Sequence, residues 1–199
     1  HNLFAYTYVL HVHPTLVNGL TCGKGAQALC EELLGEEVLW IDICKPGYTL
    51  ARLCFEKMNA YKEKCGKDVQ VLLLQNHGIF VAANTVEEIG VLFDGVISKL
   101  ETQVKRTADV SNAVTPEKEQ AAQKLSQLLG HAVEVVPAAE ADNFAKDKTS
   151  AAPLLKPFTP DHIVYCGPYP LFVENIDQAK EALDAFMTEN DKEPRLILV

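Results

Sequence analysis

Three histidines in this chain stand where strand geometry lets them share one metal ion. His11 and His13 flank Val12 in Tyr8-Val9-Leu10-His11-Val12-His13-Pro14. The run Tyr8 to Val12 is aromatic, β-branched and apolar, the composition of a strand. Side chains two apart on a strand share a face, so His11 and His13 project side by side and Val12 faces the other way. Their Cα atoms then lie about 6.5 Å apart. Two imidazoles at that separation can tilt inward onto one ion at about 2.0–2.1 Å. Pro14, with no N–H for a ladder, ends the strand.

His77 is set up in a similar way. Val69 to Leu74 reads as a buried strand, Gln75-Asn76-His77-Gly78 breaks it with turn residues, and Ile79 to Ala82 resumes an extended pattern. A histidine in a turn at the end of a core strand can complete a three-histidine site, with Gln75 and Asn76 as its supporting neighbours. A lone histidine on an apolar strand is more often a packed residue than a ligand, and an HxH pair alone leaves the two readings even. His77 tips the balance to metal.

The elements that must position these residues follow from 199 residues, enough for one good core or a domain and part of another. Hydrophobic content of 48% and charged content of 23% describe an ordinary soluble globular protein, and cytoplasmic residence is expected. A net charge of -9 without a basic patch excludes nucleic acid as partner. No apolar run approaches the ~18–20 residues that span a bilayer. Cys22, Cys30, Cys44, Cys54, Cys65 and Cys166 form no CxxC pair and read as reduced thiols, mostly buried. No signal peptide is visible, and the start at His1 and the apolar end at Val199 are what a fragment of a longer polypeptide would show.

Between the histidines, Lys24 to Leu34 predicts a short helix stopped by Gly35, and Val38 to Ile41 a strand. Pro46 suits a first helical position before Leu50, Leu53, Cys54, Met58 and Tyr61 at helical spacing, with Gly66 as C-cap. Thr85-Val86-Glu87-Glu88 is a capping box opening a long amphipathic helix that ends near Arg106. Alternating helices and strands of this kind indicate an α/β protein, a sheet covered by helices, over residues 1–107.

Residues 108–160 are expected to be a linker (108–114) followed by a helix, a strand and a helix. Thr115-Pro116 opens a helix to Leu129 that Gly130 ends; Ala132 to Val136 is a strand; Ala138 to Lys146 is a helix; and Thr149 to Pro160 is loop. Asp161 to Cys166 is then a strand, Asp177 to Met187 a helix, and Leu196 to Val199 the start of a strand. Ile163-Val164-Tyr165-Cys166-Gly167-Pro168 lines up with Val9 to Pro14, with Tyr165 at the place of His11 and Gly167 at that of His13. On that alignment residues 161–199 begin a degenerate second copy that has lost its metal.

The run His11-Val12-His13-Pro14-Thr15-Leu16-Val17-Asn18, followed at a distance by Leu73-Leu74-Gln75-Asn76-His77-Gly78, resembles the class II aldolase/adducin family over about residues 1–105. It looks most like the long bacterial branch related to rhamnulose-1-phosphate aldolase, whose C-terminal extension Thr159 to Val164 also resembles. The resemblance implies a three-layer α/β/α fold with a mostly antiparallel or mixed sheet, and a homo-oligomer (tetramer or dimer) with sites at subunit interfaces. It implies zinc, or another divalent metal, on His11, His13 and His77. The implied chemistry is retro-aldol cleavage of a phosphorylated sugar, with zinc polarising the carbonyl and stabilising the enediolate. A related branch epimerises pentulose phosphates.

Three departures accompany it. The family's acid/base Glu falls upstream of His1, the phosphate-binding glycine- and serine-rich loops fall upstream as well, and the family's proton-donating Tyr falls near Ile43. Tyr48 stands close to that position as a packing residue at a helix start. A non-catalytic, adducin-like assembly module is the rival reading. Non-haem iron ranks last, because it calls for two histidines and a carboxylate.

Overall fold

The computed structural model describes residues 1–111, 114–157 and 159–199. Asn112 and Ala113 of the expected linker and Phe158 of the expected loop lie outside them. The chain divides into two compact units, His1–Lys105 and Arg106–Val199.

The first unit is built on a four-stranded mixed sheet of β1 (Tyr8–Val12), β2 (Val38–Ile41), β3 (Val71–Leu74) and β4 (Gly78–Ala83), in the order β1-β4-β3-β2. The pairs β1/β4 and β4/β3 are antiparallel and β3/β2 is parallel. Strand alternation sorts the side chains into two cores. Trp40, Val71, Leu73, Ile79, Val81 and Ala83 point to one face, where α1 (Thr15–Thr21), α2 (Ala26–Leu34) and α4 (Val86–Glu101) cover them. Ile41, Leu72, Leu74 and Phe80 point to the other, under α3 (Tyr48–Cys65). The result is a three-layer α/β/α unit. Leu72, Leu73 and Leu74 are all essentially buried, each contributing about 1.5–3 kcal/mol of transfer free energy.

The caps explain most helix boundaries. The Thr85 hydroxyl accepts from Glu88 N–H at the start of α4, while the Glu88 carboxylate accepts from Gln70 rather than turning back to the cap. Gly66 closes α3 in the left-handed conformation. That helix begins at Tyr48, later than Pro46 suggests, because Gly47 takes φ 103° and cannot be helical. Its neighbour α2 begins at Ala26, after Gly25 at φ 72°. The long helix α4 stops at Glu101 instead of Arg106, with Thr102 bonding back to the Lys99 carbonyl and Val104 left exposed. An unexpected element is α1. Pro14 both ends β1 and serves as its N-cap, its carbonyl accepting the N–H of Asn18, and Val17 and Leu20 bury one side.

In the second unit, α5 (Pro116–Leu129) and α8 (Ala179–Asn190) pack with β5 (Leu171–Phe172) and β6 (Ile197–Leu198) around Leu125, Val173, Ala179 and Leu183. Strands β5 and β6 are parallel, and α8 is the crossover between them. Helix α6 spans Ala139–Ala145, and α7, Lys148–Ala151, lies in what composition reads as loop.

Two expected strands are absent. Ala132 to Val136 makes no sheet pairing, since Val133 N–H donates to Ser126 Oγ on α5 instead. His162–Cys166 winds into a single turn of π-helix. Thr159 with Pro160 forms a helix start, the Thr159 hydroxyl accepting from His162 N–H, and Ile163, Val164 and Tyr165 are exposed. That segment therefore holds no sheet position like that of Val9 to Val12. The six cysteines also differ from expectation: only Cys30 and Cys54 are buried, the other four half-buried. Burial pushes the Cys30 thiol up to about 11 and that of Cys54 upward, so both stay protonated and inert.

Candidate metal centre

His11 comes from β1, His13 from the residue after its end, and His77 from the turn joining β3 to β4. Because β1 runs antiparallel to β4, the end of β1 meets the start of β4, and the three imidazoles gather at one end of the sheet. Their ring centroids form a nearly equilateral triangle with sides of 4.9, 5.0 and 5.1 Å. One ligand nitrogen from each ring lies within 4.8 Å of the others, and all three residues are half-buried.

The tautomer of His11 follows from its partner. Its Nδ1 lies 3.0 Å from the Ile79 carbonyl, which can only accept, so Nδ1 carries the hydrogen and Nε2 keeps its lone pair. His13 Nε2 sits 3.2 Å from that Nε2. Two nitrogens on one tetrahedral ion, each about 2.0–2.1 Å away, stand about 3.3 Å apart. The spacing therefore fits two imidazoles on a single divalent ion, and the all-nitrogen donor set suits zinc.

The turn bearing His77 is held from outside. His77 N–H bonds the Leu74 carbonyl at 3.1 Å, and Asn76 adopts φ 56°, left-handed, which Asn tolerates. Gln75 ties the turn to β2 through its N–H to the Ile41 carbonyl and its side-chain oxygen to Ile43 N–H. Asn76 N–H bonds the Thr21 carbonyl at the end of α1. Gln75 and Asn76 thus act on the backbone of the turn. Tyr48, at the start of α3, is 83% exposed, so it is not the packing residue expected at that helix start.

Burial, chiefly, pulls the His11 pKa below its ordinary value; the bond to Ile79 opposes this, and the neighbouring His13 and His77 reinforce it. In metal-free protein the unfolded chain takes up this proton near pH 6.5 and the folded chain only below that. At His11 the unfolded state then binds more protons in the window beneath about 6.5, and the contribution of this group to stability falls as pH drops through it. Urea unfolding followed by the single tryptophan, Trp40, which reports on the first unit, checks this. With chelator present, wild type should lose more stability between pH 7 and pH 5.5 than His11→Gln. Parallel slopes would show that His11 titrates alike in both states.

Two residues that matter to the site carry no motif signal: Ile79 and Phe80, which meet β1 through strand pairing. The Phe80 ring stacks on His11, and a Cβ at position 78 would meet His13. A cleft of about 440 Å³ lies beside Phe80 on the α3 side of the sheet, lined by apolar residues together with His1 and Asn2 and by none of the three histidines.

Fold and site define a helix-covered mixed sheet carrying, at one end, a three-imidazole cluster that could hold a metal ion. Residues 4–104 match the Class II Aldolase and Adducin N-terminal domain, and the chain belongs to that family. Among proteins it is similar to, an uncharacterized oxidoreductase, YuxG, of Bacillus subtilis (strain 168) is 25% identical over 89 residues, 44% of this chain. The chain spans only 12% of the length of that relative. It is also similar to the N-terminal class II aldolase domain of a conserved Thermoplasma acidophilum protein. There the identity is 23% and the TM-score 0.44, over 53% of this chain and 46% of that one. An aldolase II superfamily protein from Pseudomonas syringae shares 16% identity at a TM-score of 0.34, over 48% of this chain and 37% of that one. No helix among the described residues is long and apolar enough to cross a membrane.

Proposed function

We propose that this chain carries the metal-binding part of a zinc-dependent class II aldolase-type lyase that cleaves a phosphorylated sugar in the cytoplasm. The observation that carries the reading is the convergence of His11, His13 and His77, with two nitrogens at the spacing of ligands on one ion. Those three residues would hold the metal. Bound there, a divalent ion supplies Lewis-acid polarisation of a carbonyl and its neighbouring hydroxyl. The chain's own work is to fix the His11 tautomer through Ile79, to brace His77 through the turn bonds of Gln75 and Asn76, and to keep one side of the site dry with Phe80. No residue of the histidine cluster is assigned as the acid/base.

Exposed Ile43, Tyr48 and Phe55 favour assembly with further copies, since Tyr48 and Phe55 lie seven residues apart on one side of α3. An adducin-like module in which the fold serves assembly alone is therefore the second reading. Turnover separates the two. The native protein supplied with zinc should release dihydroxyacetone phosphate from ketose 1-phosphates, and a chelator should abolish that release. Interconversion of pentulose phosphates without net cleavage would move the assignment to the epimerase branch. Metal binding without turnover on either substrate class would favour the assembly module.

A further inference from the structure

We propose that Phe80 is a positioning residue for the metal, acting through the ring of His11. The inference rests on the three-histidine reading and extends it to a residue with no donor atom. Phe80 stands directly opposite His11 in the β1/β4 register. Their rings stack with centroids 3.9 Å apart and planes 7° from parallel. Phe80 is itself confined: Leu72 opposes it on β3, Phe4 packs at 5.9 Å, and the edge of His1 at 5.2 Å.

The stack removes a freedom that the hydrogen bond leaves. Nδ1–H to the Ile79 carbonyl anchors one edge of the imidazole, yet the ring can still swing about that anchor and carry Nε2 away from His13. A phenyl face in near-parallel contact blocks the swing on one side. It also favours the loaded state, because an imidazole on a divalent ion is electron-poor and the phenyl face is electron-rich. An aliphatic side chain of similar size would keep the site dry but supply neither a flat wall nor that attraction.

Zinc and cobalt titrations of the intact protein test this, with the visible absorption of bound cobalt as a second readout. Phe80→Leu should weaken metal binding about 10–100-fold, as loss of an outer partner of a ligand does, and shift the cobalt spectrum. Phe80→Tyr, which keeps the aromatic face, should restore both. Phe80→Met serves as a second non-aromatic variant if the leucine protein fails to fold, judged by far-ultraviolet circular dichroism and Trp40 fluorescence. Wild-type affinity and spectrum in a folded Leu or Met variant would overturn the proposal, as would a folded Tyr variant that restores neither. Failure of wild type itself to bind metal would remove the three-histidine reading, and the positioning role with it.

Discussion

His77→Ala is expected to empty the metal centre while leaving the fold intact. Zinc should fall from about one ion per chain to less than about a tenth, measured by elemental analysis of protein purified without chelator. The proposed centre would draw one nitrogen from each of three rings, and two imidazoles cannot close a site of which the third forms one corner. The turn itself should survive, because its bonds run through the backbone of Leu74, Asn76 and His77 and through Gln75. His11→Ala should have the same effect on the metal. An ion that binds only the folded state adds about 4 kcal/mol of stability at a thousandfold excess over its Kd. Added zinc should therefore raise the melting temperature of wild type and not that of either variant. Full zinc content in both variants would remove these histidines from any metal role.

Much of this arrangement is legible in the residue order, and the part that is not has a common cause. Strands β2 and β3 announce themselves through unbroken apolar runs, and α5 through Thr115, Pro116 and Gly130 at its two ends. The three histidines are visible because strand alternation and a turn are local features. The role of Phe80 is invisible because it depends on which residue of β1 lies opposite it, a register set between strands far apart in sequence. Helix α1 is hidden behind Pro14, which can end a strand and begin a helix at once. His162–Cys166 misleads for the opposite reason: its β-branched and aromatic residues suit a strand, but Thr159-Pro160 caps a helical turn before them. Tertiary context decides in each case where propensity alone is divided.

Gly78→Ala should damage both stability and metal binding, although nothing about the conformation of Gly78 demands glycine. Its φ is not positive, so an alanine could adopt the backbone. Space is the obstacle. An added Cβ would lie 2.4 Å from Cδ2 of His13 and 2.6 Å from the Val12 carbonyl oxygen. The ring of His13 could move, but only by leaving the spacing it keeps with His11. The carbonyl belongs to β1, paired with β4 at Val12 and Ile79, and can yield only if that end of the ladder opens. Overpacking of this kind costs about 1–3 kcal/mol. For a unit of this size, each kcal/mol lowers the melting temperature by about 4–8 °C. Gly95→Ala is the matching control: it lies within α4 with no atom near its added Cβ, so it should be neutral or stabilise by up to about 1 kcal/mol. Urea unfolding by Trp40 fluorescence and zinc content, read on both variants, decide the matter. A Gly78→Ala protein as stable as the Gly95→Ala control and with full zinc would mean that β1 and β4 part there at little cost, and that His13 is not wedged against the start of β4.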